Sequence, residues 1–254
     1  MIIEKKFLFF RSIRILYEDE DVSLLLKKER YDYAAVVSYE PVVLPVGFRL
    51  KRKKVANIRL KGSMEEIFGR FSVSTRNEIH KTRKIDGLEF KVADDDIAGS
   101  YDLYRRFEKA QGRSPWSVDT YKNTILFNAY YKGEIIVSIP CYNLRPYLQV
   151  RSISSKRLEE NDKEMKKMIG YAGRRLIYEI CRYGKERRYE FAGLGAVNYS
   201  TSQKAGVSDF KIFFAPEIAD EYTYTYESAI FRRLKTLLPI KNLILGAVAF
   251  LRIK

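Results

Sequence analysis

Residues 165–211 decide the fold, and they read MKKMIGYAGRRLIYEICRYGKERRYEFAGLGAVNYSTSQKAGVSDFK. An apolar stripe at helical spacing predicts a long helix over residues 161–183. The stripe consists of Met165, Met168, Ile169, Ala172, Leu176 and Ile180. The β-rich residues 188–192 predict a strand after this helix, and residues 209–215 predict another. Because the helix and strands follow one another closely, we expect this stretch to form the centre of a packed domain.

The composition of the 254-residue chain indicates a folded protein with a basic surface. Its 19 tyrosines and 15 phenylalanines supply more burial than disordered chains carry. The net charge of +15 favours an anionic partner, such as a phosphate-rich cofactor, a nucleic acid or an anionic membrane surface. An ordinary solvated basic surface explains the charge equally well, so charge alone does not identify the partner.

The cysteine and histidine content argues against disulfide and metal chemistry. Cys141 and Cys181 are the only cysteines and His80 is the only histidine. These are too few for a disulfide framework or the usual structural zinc site, so we expect no metal. The N-terminal segment lacks a signal-peptide pattern, and no apolar run approaches the roughly 20 residues of a membrane span. We therefore predict a cytoplasmic protein.

The N-terminal part of the sequence predicts short strands followed by two capped helices. Residues 6–16 and 33–39 are rich in aromatic and β-branched residues, which is typical of strands. The basic residues 50–62 fit an edge strand kept soluble by lysines or a phosphate-facing patch, and we favour the edge strand. Capping boxes at residues 63–66 and 75–78 predict the starts of two helices.

The middle of the sequence predicts strands with helices before and after them. Residues 88–92 resemble a strand, and apolar residues at helical spacing predict a helix within residues 97–112. Residues 125–131 and 134–142 flank a tight glycine-containing turn, which predicts a hairpin, and residues 147–153 form a third candidate strand. This order favours a mixed central sheet flanked by helices, of the α/β or α+β class.

Glycines in the predicted long helix leave two interpretations of where it starts. Gly170 and Gly173 each destabilise a helix interior by about 1 kcal/mol relative to alanine, whereas Gly184 fits a position just past the helix end. Either small residues pack closely inside the helix, or the helix starts near Gly170. In the second case, backbone N–H groups would form an anion cradle at a helix N-terminus. The cradle and its flanking cations would be Lys167, Gly170, Ala172, Arg174 and Arg175.

These residues resemble the core of the GNAT N-acyltransferase superfamily. The pattern is Lys167-x-x-Gly170-x-Ala172, then a helix, a strand, Asn198 and Lys204-Ala-Gly206. In that superfamily a [Gln/Arg]-x-x-Gly-x-[Gly/Ala] loop holds the pyrophosphate of the acyl donor. The resemblance therefore implies donor binding by the cradle residues and by Asn198. This chain has lysine at position 167 where the family has glutamine or arginine.

Residues 70–215 are more closely similar to the FemABX branch, the peptidoglycan aminoacyltransferases and their relatives. Three segments carry the resemblance in the family's order: the basic residues 74–84 before Gly87, Tyr189-Glu-Phe-Ala-Gly193 after a long helix, and Gly206 followed by Phe210-Lys211. The family's Tyr-Asp-Phe-Gly-Gly pattern is changed here at Glu190 and Ala192. The resemblance implies a GNAT-like sheet with a reduced N-terminal lobe.

The reaction implied by the resemblance is acyl transfer to an amine, which builds a tetrahedral oxyanion. Such a site needs a hydrogen-bond donor at the oxyanion and an acceptor for the amine proton. The resemblance assigns charge stabilisation to Lys211 and packing beside the acyl group or the acceptor to Phe210. Glu190 and Asp209 are the candidate proton acceptors, with water as an alternative. The candidates for binding acceptor phosphates are Arg76 and Lys84, although a solvated helix face explains both.

The resemblance also implies the partners. The donor is an acyl-CoA or an aminoacyl-tRNA, and the acceptor is a cell-wall or surface-glycan precursor. We expect a reduced N-terminal lobe (1–88), a GNAT-like acyltransferase core (89–225) and a basic apolar tail (226–254). The apolar run 243–251 fits peripheral membrane contact or packing on the core. The alternative function is a non-enzymatic, basic GNAT-like module that binds nucleic acid or an anionic membrane surface.

Overall fold

A computed structural model describes residues 2–7, 9–17, 22, 26 and 31–237. The chain forms two compact units, Met1–Val55 with Ile218–Lys254 (unit 1) and Ala56–Glu217 (unit 2). The division into lobe, core and tail stays a prediction. The compact units have other boundaries, because the strand that begins at residue 217 lies beside an N-terminal strand. The apolar run of the tail lies outside the described residues.

The secondary structure alternates between strands and helices. In chain order the strands are β1 (Ile2–Phe7), β2 (Phe10–Leu16), β3 (Tyr33–Ser38), β4 (Arg49–Arg59), β5 (Leu88–Asp94), β6 (Thr124–Tyr131), β7 (Glu134–Leu144), β8 (Tyr147–Val150), β9 (Ser154–Ser155), β10 (Phe191–Ala196) and β11 (Glu217–Glu227). The described helices are α1 (Met64–Arg70), α2 (Val73–Lys81), α3 (Ile97–Ala110), α4 (Lys163–Glu186), α5 (Ser202–Ile212) and α6 (Ala229–Leu237).

Unit 1 is built on strands in the order β1-β2-β3-β11-β4. β2 is antiparallel to β1 and parallel to β3, and β3 is antiparallel to β11. The basic part of β4 lies beside β11, where Arg52 pairs with Asp220 and Lys53 Nζ is 2.7 Å from Glu221 Oε1. The edge-strand interpretation is therefore wrong, because β4 has β11 on one side and β10 on the other.

Unit 2 contains the strands β4-β10-β8-β7-β6-β5 in that order, with β9 pairing to β7. The run from β5 to β8 is antiparallel, which confirms the predicted hairpin, and β8 is parallel to β10. Helix α4 covers this sheet. Its residues Ala172, Leu176, Ile177 and Ile180 belong to one buried cluster with Phe127, Ile139 and Leu148. The mixed sheet flanked by helices confirms the predicted fold class.

The two capping boxes have different outcomes. At α1 the box is confirmed, since Glu66 N–H donates to Ser63 Oγ at 3.1 Å and Ser63 N–H donates to Glu66 Oε2 at 2.7 Å. The box at residues 75–78 is wrong. Helix α2 begins earlier, at Val73, because Thr75 N–H donates to Ser72 Oγ at 3.2 Å. Thr75 is thus buried in the first turn instead of capping it.

The long helix is confirmed as α4, but it begins before Gly170. The Asp162 carboxylate caps it and accepts two backbone N–H groups, each at 3.2 Å. Gly170 lies inside the helix, where N–H groups bond to carbonyls four residues earlier. The helix start at Gly170 is therefore wrong. Gly184 is also helical, and a Cβ there would meet Leu60 Cδ1 at 2.7 Å, so close packing explains this glycine.

Residues 209–212 end helix α5 and are not part of a strand. Ser208, Lys211 and Phe214 are buried, with exposed fractions of 1%, 8% and 0%. Asp209 and Ile212 between them are exposed. Burial of every third residue matches one side of a helix, whereas a strand would alternate. The predicted strand over residues 209–215 is therefore wrong.

Candidate functional site

The candidate site lies at the C-terminal end of β10, where this strand stops pairing with β8. β10 begins at Phe191, later than the predicted strand, and runs to Ala196. Its parallel register with β8 starts with Phe191 opposite Tyr147 and ends with Gly193 opposite Gln149. Beyond that pair the register with β8 ends, and from Gly193 onward two side chains donate to carbonyl groups of β10.

The first of these side chains is Gln149, which is 8% exposed. Its Nε2 group donates to the Gly193 carbonyl at 3.2 Å and to the Val150 carbonyl at 3.3 Å. A Cβ on Gly193 would lie 2.1 Å from Gln149 Oε1. A side chain at position 193 would therefore displace the carboxamide of Gln149 from its place.

The second side chain is Lys211, which reaches β10 from α5 and is 8% exposed. Its Nζ donates to the Ala196 carbonyl at 2.6 Å. Gly195, at φ +77°, adopts a left-handed backbone, and a Cβ there would lie 3.9 Å from both Lys211 Nζ and Gln149 Nε2. We call Gln149, Gly193, Gly195, Ala196 and Lys211 the open end of β10. It is a buried, polar place with a cation and backbone carbonyls.

The loop after β10 is fastened to α5 through Ser208. Asn198 N–H donates to Ser208 Oγ at 2.8 Å, and Ser208 Oγ donates to the Asn198 carbonyl at 2.8 Å. The Asn198 side chain accepts from Ser200 N–H at 2.7 Å and is exposed. Ser208 and Lys211 are three residues apart on α5, so they share a side of the helix. Asn198 closes this loop, and its donor contact stays a prediction.

Arg174 and Phe210 lie together where α2, α4 and α5 meet. Arg174 Nε is 2.8 Å from Glu78 Oε2, and its guanidinium lies 5.3 Å from the centre of the Phe210 ring. Burial lowers the pKa of Arg174 from its usual value, and Glu78 opposes that shift. Arginine nevertheless remains charged in proteins. Arg174 thus contacts the ring of Phe210, which is the residue before Lys211 in the chain.

Arg76 and Lys84, the predicted acceptor-binding cations, are not brought together. Arg76 is half-buried in the first turns of α2, and its Nε has no hydrogen-bond partner among the described residues. Lys84 is exposed in the 3-10 helix Thr82–Lys84 that follows α2. Eight residues of helix separate them, which is about 12 Å along the axis. Their acceptor roles stay predictions.

The donor cradle lacks the geometry on which it was predicted. Lys167 is exposed, and a hydrogen bond to Glu164 at 2.7 Å raises the pKa of Lys167. Ala172 is fully buried in the core. Gly170 lies inside α4, so its N–H points along the helix to a carbonyl. Because the helix starts at Lys163, these residues do not form a helix N-terminus, and that prediction is corrected.

Arg175 belongs to a structural ion pair. Its Nε donates to Glu179 Oε1 at 2.6 Å, and its guanidinium lies 5.1 Å from the centre of the Tyr178 ring. Glu179 is 2% exposed and also lies 2.9 Å from Arg182. A buried carboxylate needs such partners. Arg175 therefore stabilises the packing of α4, and its role in donor binding stays a prediction.

The two predicted proton acceptors do not lie beside Lys211. Glu190 is exposed and precedes β10, and six residues of extended strand place it about 20 Å from Ala196. Asp209 is exposed and two residues from Lys211, and residues two apart on a helix do not face each other. Desolvation and the Asp209 carboxylate raise the pKa of Tyr199, so Asp209 lies near that ring. Neither carboxylate is thus brought to Lys211, and their roles as proton acceptors stay predictions.

Gln149 is the site residue that the sequence reasoning missed. It stands between Leu148 and Val150 in a short strand whose other interior positions are apolar. Buried positions rarely hold a glutamine without hydrogen-bond partners. An amide inside an apolar strand was therefore a usable signal, but its partner Gly193 is 44 residues away in sequence.

The comparisons with known proteins find solved structures that share this fold. No protein-family model matches the sequence, and no curated protein matches it. FemX matches with a TM-score of 0.65 at 10% identity, covering 93% of this chain and 86% of that chain. L-PGS from Bacillus licheniformis matches with a TM-score of 0.54 at 13% identity, covering 93% and 83%. The C-terminal DUF2156 domain of a protein assigned as a lysylphosphatidylglycerol synthetase from Agrobacterium fabrum gives 0.54 at 14%, covering 92% and 83%.

These matches show that the chain shares the fold of FemX and of L-PGS. They confirm the resemblance noted in the sequence, and at 10% to 14% identity they define the fold alone. Among the described residues, no group of three or more His, Cys, Asp or Glu is arranged to hold a metal ion. No helix in the described part of the chain has the length and hydropathy needed to cross a membrane.

Proposed function

We propose that this chain is a FemABX-like N-acyltransferase that moves an acyl or aminoacyl group from an activated donor to an amine. The observation that carries the proposal is the buried Lys211 ammonium at the open end of β10, 2.6 Å from the Ala196 carbonyl oxygen. Burying a lysine is unfavourable unless its charge is compensated. Its place beside backbone carbonyls and a buried amide makes it a candidate for charge stabilisation during a reaction.

The proposed reaction follows from the chemistry of acyl transfer. The amine nitrogen attacks the acyl carbon, and negative charge develops on the carbonyl oxygen. The Lys211 ammonium donates a hydrogen bond to that oxygen and stabilises it. A C–N bond forms, the ester or thioester bond to the donor breaks, and the donor's oxygen or sulfur leaves with the electron pair. The amine proton passes to water, because neither Glu190 nor Asp209 lies beside Lys211.

The N-terminus of α4 favours an aminoacyl-tRNA over coenzyme A as the donor. The Asp162 carboxylate there accepts the N–H groups of Glu164 and Met165 at 3.2 Å each. A pyrophosphate at this position would meet a negative charge and two N–H groups that are already bonded. The residues present therefore do not fit the pyrophosphate of coenzyme A. The ester of an aminoacyl-tRNA carries no pyrophosphate and avoids this conflict.

Cations of unit 2 support a phosphate-rich donor. They lie on α2, on the turn after it and on α4: Arg76, Lys81, Lys84 and Lys167. The Lys81 ammonium also lies 5.4 Å from the centre of the Tyr171 ring, so a base-stacking ring adjoins the charge. Such a surface binds nucleic acid with strong salt dependence. For the acceptor we propose an amine of a cell-wall or surface-glycan precursor.

A donor screen with the full chain tests this proposal. The purified protein is incubated separately with acetyl-CoA and with a mixture of aminoacyl-tRNAs, each with amine-bearing cell-wall precursors. Products are followed by mass spectrometry. We expect aminoacyl transfer from tRNA, and we expect Lys211→Met to abolish it. Turnover with acetyl-CoA alone would contradict the donor assignment.

The same screen separates the enzyme from the alternative, non-enzymatic function. A binding module would give no product with either donor class. It would still bind RNA, DNA or anionic vesicles in a salt-dependent way. That combination, with Lys211→Met leaving binding unchanged, would replace the transferase proposal.

A further inference from the structure

Gln149 occupies the place where β8 and β10 stop pairing. Its Nε2 group bonds to the Gly193 carbonyl of β10 at 3.2 Å and to the Val150 carbonyl of β8 at 3.3 Å. One carboxamide thus bonds to both strands at the point where their register ends. Buried carbonyls without partners are destabilising, so this amide holds both strand ends in place.

The same carboxamide and the Lys211 ammonium both approach Gly195. Gln149 Nε2 and Lys211 Nζ are each 3.9 Å from the position that a Cβ would take on Gly195. Both groups therefore lie on the same side of Gly195. The ammonium bonds to the carbonyl of the next residue, Ala196, at 2.6 Å. Gln149 and Lys211 thus bond to the same strand, β10, at Gly193 and at Ala196.

We propose that Gln149 is a positioning residue that fixes the Lys211 ammonium for acyl transfer. This inference rests on the proposed function. The amide holds the β10 backbone, and the backbone carbonyl of Ala196 in turn holds the ammonium. The amide adds no charge near the ammonium, whereas a carboxylate at position 149 would add a negative charge that favours the protonated form of Lys211.

The test uses two substitutions that keep the size of the side chain. Gln149→Glu replaces the amide by a carboxylate, and Gln149→Met removes its hydrogen bonds. Gln149→Asn is a further variant that keeps a neutral amide at shorter reach. The matched controls are Gln111→Glu and Gln111→Met, because Gln111 lies at the C-terminus of α3. All variants are compared with the full chain, and thermal melting establishes that each is folded.

The first measurement needs no donor. Acetic anhydride is the probe, and mass spectrometry gives the acetylation rate of Lys211 relative to the exposed Lys122. We expect Gln149→Glu to slow Lys211 about tenfold, which corresponds to one pKa unit of stabilised ammonium. We expect Gln149→Met to speed it about threefold, because loosened local structure opens more often. Unchanged Lys211 rates in folded Gln149 variants would overturn the proposal.

The second measurement is the transfer reaction with the donor that gives turnover. Both size-matched Gln149 variants should lower kcat about tenfold and leave KM within about twofold, because positioning acts on the reacting geometry. Gln149→Asn should recover part of kcat. If Gln149 had only a structural role, its variants would lower the melting temperature without lowering kcat at an almost unchanged KM. The Gln111 controls should leave both constants unchanged.

The outcomes separate the two proposals. If Lys211→Met loses transfer while folded Gln149 variants keep wild-type kcat and labelling, the positioning role is wrong and the transferase function stands. If Lys211→Met keeps wild-type transfer, Lys211 is not the catalytic cation and the positioning role of Gln149 in catalysis is wrong with it. If no donor gives product with the wild-type chain, the proposed function is wrong, and the labelling rates alone decide whether Gln149 controls the ammonium.

Discussion

The two ends of β10 differ in what holds them. At its start, Phe191 stacks on Tyr147 with ring centroids 5.0 Å apart, and Arg59 lies 4.9 Å from the centre of the Phe191 ring. Arg59 also makes an exposed, bidentate pair with Glu217, at 2.5 and 2.9 Å. We call these four residues the aromatic end. At the open end, a buried amide and a buried ammonium bond to backbone carbonyls instead.

This difference separates a structural end from a functional candidate. The cation and carboxylate of the aromatic end are exposed, and exposed pairs contribute only about 0–1 kcal/mol. Rings and solvated charges of this kind are ordinary packing. At the open end, Gln149 and Lys211 are each 8% exposed. Burying polar groups is unfavourable unless they are bonded. A cluster of such groups next to two glycines therefore makes the open end, and not the aromatic end, the candidate functional site.

Among the substitutions that compare the two ends, Gly193→Ala is expected to change the stability most. The new Cβ would meet Gln149 Oε1 at 2.1 Å, so the amide or the strand must move. We expect a loss of about 1–3 kcal/mol in the free energy of unfolding, as for other overpacked sites. Urea unfolding measures it. The control is Gly206→Ala on α5, where a Cβ meets nothing within 4 Å, and a gain of about 0.5–1 kcal/mol is expected there.

Gly193→Ala in a Gln149→Ala background sharpens this result. With the amide gone, the added methyl group has room, so the second substitution should have little additional effect. A coupling of about 1 kcal/mol or more between the two positions is expected. Additive effects would show that the amide is not what excludes a side chain at position 193.

A smaller effect is expected from Arg174→Met, beside the open end. The substitution removes the ion pair with Glu78 at 2.8 Å and the contact with Phe210. Both side chains are partly exposed, at 19% and 25%, so screening reduces the loss to about 1 kcal/mol. Thermal melting measures it. The double variant with Glu78→Gln should lose less stability than the sum of the two single variants, because both substitutions remove the same ion pair. Fully additive losses would argue against the pair.

Next in size is Phe191→Leu at the aromatic end. The loss of ring stacking on Tyr147 should lower stability by about 0.5–1.5 kcal/mol. Transfer by the folded variant should stay within about twofold of wild type, because five residues of strand, about 17 Å, separate Phe191 from Ala196. Urea unfolding and initial rates measure the two effects. A tenfold loss of kcat in a fully folded variant would remove the distinction between the ends.

The smallest effect is expected from Glu190→Gln. The carboxylate is exposed and lies before the aromatic end, so stability should change by less than about 0.5 kcal/mol. Transfer should keep its wild-type rate and pH profile. Loss of the rate with a changed pH profile would restore Glu190 as a general base.

Local patterns in the sequence predicted most elements of unit 2. The apolar stripe predicted α4, and the turn at Lys132-Gly133 predicted the hairpin of β6 and β7, because both signals lie within a few residues. Periodicity gave the wrong element at the end of α5, because the short run of residues 209–215 fits both the helical and the strand repeat. At the start of α4 the apolar stripe was right, and the later start inferred from Gly170 was wrong because Asp162 caps the helix.

The candidate site was only partly predictable, because it is assembled by long-range contacts. The resemblance singled out Lys211, and the structure adds that it bonds to Ala196, 15 residues away. Gln149 could not be linked to Gly193 without knowing that β8 and β10 pair in parallel. Glu190 was predicted as catalytic because it is close to Gly193 in sequence, but an extended strand separates it from the open end.

The most direct test of the account compares the two ends in one assay. Single-turnover transfer is measured for wild type, Lys211→Met, Lys211→Arg and Glu190→Gln, with the donor that gives turnover. The account predicts a loss of about 10²–10³-fold in rate for Lys211→Met, partial retention for Lys211→Arg and a wild-type rate for Glu190→Gln. A wild-type rate for folded Lys211→Met would contradict the assignment of catalysis to the open end of β10.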